Sequence, residues 1–380
     1  MAIAEPEPEG VAALHAAIES MGERVRAAAA DIDRDRHVPD GIVTELREAG
    51  FFRMLVPVAY GGWETPAPHV VELIAALARY DASTAWVLMI GATTHALTAF
   101  LPEAGAREIY RNGADFPMGG LITPPPGRAG PVEGGYRVSG RWPFGSAARH
   151  CDWFVARCQV DGDEPGAPPL IVFMPASDVT IHDTWRVVGM RGTGSHDYQT
   201  DGTFVPASRA FRADDEPAAQ QGPLYRLARF GLLPAYMGAI SIGIGRAAID
   251  AFTAYARAKV VNGTPLTELP LTRARVAEAE AIVGSARAYL LQVARDSWAK
   301  VSAGEDLSAA DSALQVLSAT HAAHTCAGAV DLMFTSGGAA ALSTAGALQR
   351  HLRDAHAAKQ HRLVGFGMYE QAGRMLLTTG

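Results

Sequence analysis

A chain of 380 residues, 48% hydrophobic and 19% charged, can bury more than one core and lacks the composition of a disordered protein. A formal charge of −7, with no run of Lys or Arg, excludes a nucleic-acid surface. Cys151, Cys158 and Cys326 are odd in number and without metal-ligand spacing, and the opening MAIAEPEPEG has neither the basic nor the apolar region of an export signal, so reduced thiols in a cytoplasm are expected.

Residues 1–115 read as a helical domain. Val11, Leu14, Ile18, Met21 and Val25 recur at three- and four-residue steps, the spacing of one helix face. Asp40 can cap a second helix that ends at Gly50, and further helices are expected over 69–80 and 83–101, the latter stopped by Pro102. Residues 82–102 contain no Asp, Glu, Lys or Arg and reach the roughly 20 residues of a membrane span. Ser83, Thr84, Thr93, Thr94, His95 and Thr98 make a buried core helix the better reading, and no membrane partner is expected.

Residues 116–212 change character. Pro124 to Pro126, Gly127, Gly130, Gly134, Gly135 and Gly140 punctuate short runs at 136–138, 153–155, 170–173 and 203–205 that favour strands, the last ended by Pro206. A compact β-barrel or sandwich is expected. Residues 213–380 return to long helices over 224–260, 271–301, 308–333 and 348–359, with Pro234 the obvious breaker, and predict a four-helix bundle. The fold class is therefore α+β: an N-terminal helical domain, a middle β domain and a C-terminal bundle.

Three segments in this order carry a resemblance. Residues 134–146, GGYRVSGRWPFGS, look like the strand that lines the flavin in relatives of the acyl-CoA dehydrogenases. Residues 189–195, GMRGTGS, are similar to a later turn of the same β domain, and 348–355, LQRHLRDA, to the C-terminal Arg-Asp helix, with Gly337 and Gly338 upstream. The resemblance covers nearly the whole chain and implies the acyl-CoA dehydrogenase fold. In the dehydrogenases a Glu beyond that helix removes an α-proton, and here its position falls near His361 and Arg362. The other family location, early in the bundle, has no Asp or Glu between Glu216 and Asp250.

A histidine there instead resembles the oxygenase components of two-component flavin monooxygenases. The resemblance implies reduced FMN or FAD delivered by a flavin reductase, O2 bound as a C4a-hydroperoxide, transfer of oxygen to a small aromatic or heteroatom substrate, and a homotetramer built through the bundle. His361 would act as base or hydrogen-bond donor, with Ser146 and His95 in support. Were its helix continuous, Arg350, Asp354 and His361 would share one face. Trp142 and Phe144 would wall the flavin ring and Thr123 would hold its edge. Arg257 and Lys259 would reach phosphate across a subunit interface, and Gly337 and Gly338 would let backbone approach the flavin. No metal is expected. Two further readings are an atypical acyl-CoA dehydrogenase using Glu370 and a flavin-fold protein without catalysis.

Overall fold

The computed structural model describes residues 9–213, 218–228 and 232–378. The N-terminal helices are α1 (Glu9–Asp35), α2 (Asp40–Glu48), α3 (Ala67–Ala78), α4 (Ala82–Thr93) and α5 (Glu103–Ile109). The stripe of α1 runs from Val11 through Ala29 and Ile32, each no more than 3% exposed, as its periodicity dictates. Helix α4 is apolar on all sides and is enclosed accordingly; Asp81 caps it by accepting from the Thr84 N–H at 2.7 Å. Beyond Thr93 the expected helix tightens into a 3-10 segment, Thr94–Phe100. Thr93 and Thr94 donate their hydroxyls to the Met89 and Ile90 carbonyls, back-bonding that bends and ends α-helices.

Eight strands form one sheet between Met118 and Arg212: β1 (Met118–Leu121), β2 (Gly127–Val132), β3 (Gly135–Gly145), β4 (Trp153–Val160), β5 (Leu170–Pro175), β6 (Thr180–His182), β7 (His196–Pro206) and β8 (Ala210–Arg212). They are ordered β6-β7-β3-β2-β4-β5-β8, with β1 parallel to β4. The β3–β7 register shifts between Trp142 and Gly145. Such a bulge re-aims side chains. Trp142 goes into the sheet core, stacked on Tyr198 at 5.3 Å, while Phe144 is turned outward and Ser146 follows directly.

The C-terminal part comprises α6 (Pro223–Ala228), α7 (Leu232–Ala258), a hairpin of β9 (Val260–Val261) and β10 (Thr264–Pro265), α8 (Pro270–Ser302), α9 (Ala309–Ser336), α10 (Ala347–Ala358) and α11 (Gly367–Thr378). Pro234 lies near the start of the described part of α7, and the helix runs on beyond it to Ala258. Helix α7 is long and apolar enough to cross a membrane, but 83% of that stretch is buried inside the protein, as in the core helix of a bundle. Ser308 and Asp311 cap α9 reciprocally. All three cysteines are buried free thiols.

Helix α10 stops at Ala358, short of His361. Gln360 and His361 donate to the Ala357 and Ala358 carbonyls, the three-residue bonds of a closing turn. The continuous helix face shared by Arg350, Asp354 and His361 is therefore not formed.

Candidate active site

Two turns meet beside α4. One is residues 146–150, following β3, and the other is the turn Arg191–Thr193 with its flanks. The second turn is pressed between helices. A Cβ on Gly189 would lie 2.1 Å from the Arg353 carbonyl oxygen, and one on Gly192 2.1 Å from Ile32, so only glycine fits at either place. Asp354 of α10 fastens the turn by accepting from the Met190 N–H at 2.6 Å. Burial, with the Asp81 and Asp33 charges adding, pushes the Asp354 carboxyl up to about 7.

This clamp presents a row of hydroxyls. Thr193 Oγ1 donates to the Met190 carbonyl at 2.9 Å and lies 2.8 Å from Ser195 Oγ, which lies 2.8 Å from Ser146 Oγ. Trp86 of α4 donates its indole N–H to Ser146 Oγ at 3.1 Å. The His361 ring stands edge-on to Trp86, centroids 5.8 Å apart. The Leu363 N–H donates to His361 Nδ1 at 3.2 Å, so in the neutral ring Nε2 carries the proton. Burial, helped by the adjacent Arg362 charge, holds the His361 pKa down at about 4, and the ring is neutral near pH 7.

Comparison with known proteins decides the family. Residues 8–110 match the model of the acyl-CoA dehydrogenase N-terminal domain, and residues 235–366 that of an acyl-CoA dehydrogenase C-terminal domain. The chain is 32% identical over 357 residues to an indole-3-acetate monooxygenase of Pseudomonas putida, covering 93% of this chain and 91% of that protein. The chain belongs to the flavin-dependent monooxygenases of the acyl-CoA dehydrogenase fold. It is also 28% identical over 364 residues to the oxygenase component of an FADH(2)-dependent resorcinol hydroxylase of Rhizobium sp., covering 90% of this chain and 88% of that one. The crystal structure of a 3-HSA hydroxylase from Rhodococcus sp. superposes with a TM-score of 0.89 at 26% identity, covering 96% and 95% of the two chains.

Around the row the monooxygenase separates the other expected site residues. Phe144 is 62% exposed, with a left-handed φ of 61° that a bulky residue rarely adopts, and meets the Trp185 ring edge-on at 6.1 Å. Trp142, expected beside it, has no exposed surface and donates its indole N–H to the Arg157 carbonyl; it packs the sheet and cannot wall a ligand. His95 is fully buried with both nitrogens engaged, one 2.9 Å from the Tyr110 hydroxyl and the other 2.7 Å from the Phe116 carbonyl. Nothing on that ring is left for a ligand, so the expected direct support from His95 is replaced by a scaffold role. Thr123 is half-buried in the loop after β1. Arg257 and Lys259 are exposed where α7 ends at the hairpin, and Gly337 and Gly338 close α9, Gly338 with a φ of 55° and open space around it. Glu370 is exposed in the first turn of α11.

Trp86, Thr193, Ser195 and Leu363 enter the site without having been singled out for it. The GTGS of residues 192–195 is legible as a motif, but only folding turns its hydroxyls toward Ser146. The structure also gathers His37, Asp40 and His150, with one ligand atom of each inside a 4.8 Å span. The two imidazoles are stacked, 4.4 Å apart and 15° from parallel. An ion bound by both would have to lie in both ring planes, which such rings do not share, and the trio is not a metal site as folded.

Proposed function

We propose that this protein is the oxygenase component of a two-component system, supplied with reduced FMN or FAD by a separate reductase, and that its substrate is a small electron-rich aromatic ring, a phenol or an indole. The names of the two relatives above, an indole-3-acetate monooxygenase and a resorcinol hydroxylase, support that substrate class. With O2, the bound reduced flavin would supply two electrons, so that one oxygen atom enters the substrate and the other leaves as water.

The polarity of His361 carries the reading. A neutral imidazole whose Nδ1 is already taken by a backbone N–H has one function left, donation from Nε2. That makes His361 a fixed donor beside Trp86, the residue whose indole N–H holds Ser146, suited to hold a developing oxyanion or the oxygen being transferred. The surrounding residues fit a flavin: Phe144 holds an exposed aromatic face against backbone strain, Trp185 supports it, and Ser146 stands one residue beyond the bulge at the rim. This aromatic wall would exclude water from the reacting atoms. Thr123 would hold the flavin edge, Gly338 would admit it closely, and Arg257 and Lys259 would meet its phosphate from a neighbouring subunit. A homotetramer is part of the proposal. It is supported by the exposure of Leu271, Leu342, Phe366 and Leu377 on the C-terminal helices and their connections, at 69%, 67%, 75% and 88%.

The test supplies reduced FMN or FAD under O2 and measures hydroxylated product from indole-3-acetate and from resorcinol per flavin oxidised. Stoichiometric product with either ring supports the proposal. Reduction of protein-bound oxidised flavin by an acyl-CoA, with no hydroxylation, would return the site to dehydrogenase chemistry and overturn it.

A further inference from the structure

The hydroxyl row has a direction. Each hydroxyl owns one hydrogen, and the Met190 carbonyl at its far end can only accept. Thr193 must spend its hydrogen there, at 2.9 Å. Ser195, 2.8 Å from Thr193, must then donate to Thr193 Oγ1, and Ser146, 2.8 Å from Ser195, must donate to Ser195 Oγ. Any other arrangement sets two lone pairs against each other, and all four residues are buried. At the near end the Trp86 N–H occupies one lone pair of Ser146. What remains on Ser146 is a single lone pair and no hydrogen. It can accept from a ligand and cannot donate to one.

Reduced flavin carries hydrogen on N5, whereas oxidised flavin presents a bare lone pair at the same atom. We infer that Thr193 and Ser195 are positioning residues that lock Ser146 as a hydrogen-bond acceptor, so that the site selects reduced flavin over oxidised flavin through N5. This rests on the proposal that Ser146 faces the flavin ring. The anchor of the row is also set by the fold: the Trp185 indole N–H joins Thr193 on the Met190 carbonyl at 3.1 Å, and Asp354 holds the Met190 N–H. A device of this kind suits an oxygenase that must take up its flavin reduced and release it oxidised.

The experiment measures Kd for reduced flavin, anaerobically, and for oxidised flavin, with FMN and with FAD, and compares the ratio of the two. In S195A the Ser146 hydrogen loses its acceptor and is free to turn toward a bare N5. In T193V the Ser195 hydrogen loses its acceptor and turns back to Ser146, freeing the same hydrogen. Both should tighten oxidised flavin and leave reduced flavin nearly unchanged, lowering the preference about fivefold to tenfold, the worth of one hydrogen bond. T193S restores the acceptor and should restore the ratio, which a merely structural role for Thr193 would not produce, and T193V, nearly isosteric, serves if S195A does not fold. If S146A lowers the preference while S195A and T193V keep the wild-type ratio, the directed row is wrong although Ser146 does meet N5. If S146A itself leaves the ratio unchanged, Ser146 does not face N5, and the inference falls with that placement.

Discussion

Two buried polar networks flank α4, and they differ in one respect. The network of His95, Tyr110, Thr98 and Phe116 is closed: His95 donates from one nitrogen to the Phe116 carbonyl and accepts at the other from the Tyr110 hydroxyl, and the Thr98 hydroxyl donates to the His95 carbonyl. The row from Met190 to Ser146 is open, ending on an unspent acceptor, with the unspent Nε2–H of His361 beyond Trp86. A closed network has only the fold to serve, whereas an open one keeps valences for a ligand. By this criterion His95 and His361, two histidines with pKa values lowered to about 4 by burial, part company.

Breaking the closed network should have the largest effect, and on stability. His95→Ala leaves the Tyr110 hydroxyl and the Phe116 carbonyl without their partner and opens a cavity, a loss of roughly 4 kcal/mol measurable by chemical denaturation. Flavin affinity of the folded fraction should change little; a selective loss of flavin binding at unaltered stability would show that His95 serves the site after all. Breaking the open end should spare the fold and damage the chemistry. His361→Ala removes the fixed donor, and product per flavin oxidised should fall about a hundredfold, with melting temperature nearly unchanged.

How legible this contrast was in the sequence follows from which interactions make it. The helix faces of α1 and α9, the Gly-rich strands and the position of His361 are local, set by periodicity, capping and motif order. The partners of each histidine are not. His95 meets Phe116 and Tyr110 because a 3-10 segment replaces the end of a helix, and Phe144 leaves the face that Trp142 occupies because of one bulge between Trp142 and Gly145. Ser146 and Ser195 are joined across 49 residues. Even the expected alignment of Asp354 with His361 failed for a local reason, a closing turn at Ala358, yet Asp354 reaches the site by holding Met190.

That contact supplies a prediction with a sign. The folded-state pKa of Asp354 is raised, so its carboxyl binds a proton in the folded protein that the unfolded chain has already released between about pH 4 and 7. Its contribution therefore falls as pH rises through that window. Asp354→Asn keeps an acceptor for the Met190 N–H and removes the titration, so the variant should gain on wild type by up to roughly 1.4 kcal/mol per pH unit crossed, in denaturation series from pH 4 to 7. A stability difference independent of pH would remove the carboxyl's protonation from the account. The buried histidines have the opposite sign, losing stability as pH falls from 6.5 toward 4, and are common to both proteins.

The smallest expected effect tests whether strain at the rim serves the open site. Phe144 combines a left-handed backbone with a ring left largely in solvent, a combination that gives the unliganded protein little in return. If the ring exists to face flavin, Phe144→Ala and Phe144→Gly should weaken reduced-flavin binding alike, about fivefold, since both remove the same aromatic face. The two should part on stability. Alanine keeps the strained φ and glycine relieves it, so Phe144→Gly should be the more stable by about 1 kcal/mol, less what its freer unfolded chain takes back. Equal flavin affinity in both variants and wild type would mean that the strain belongs to the bulge itself, which leads the chain from Trp142 to the Ser146 that meets Ser195, and that Phe144 is exposed as a by-product of that geometry.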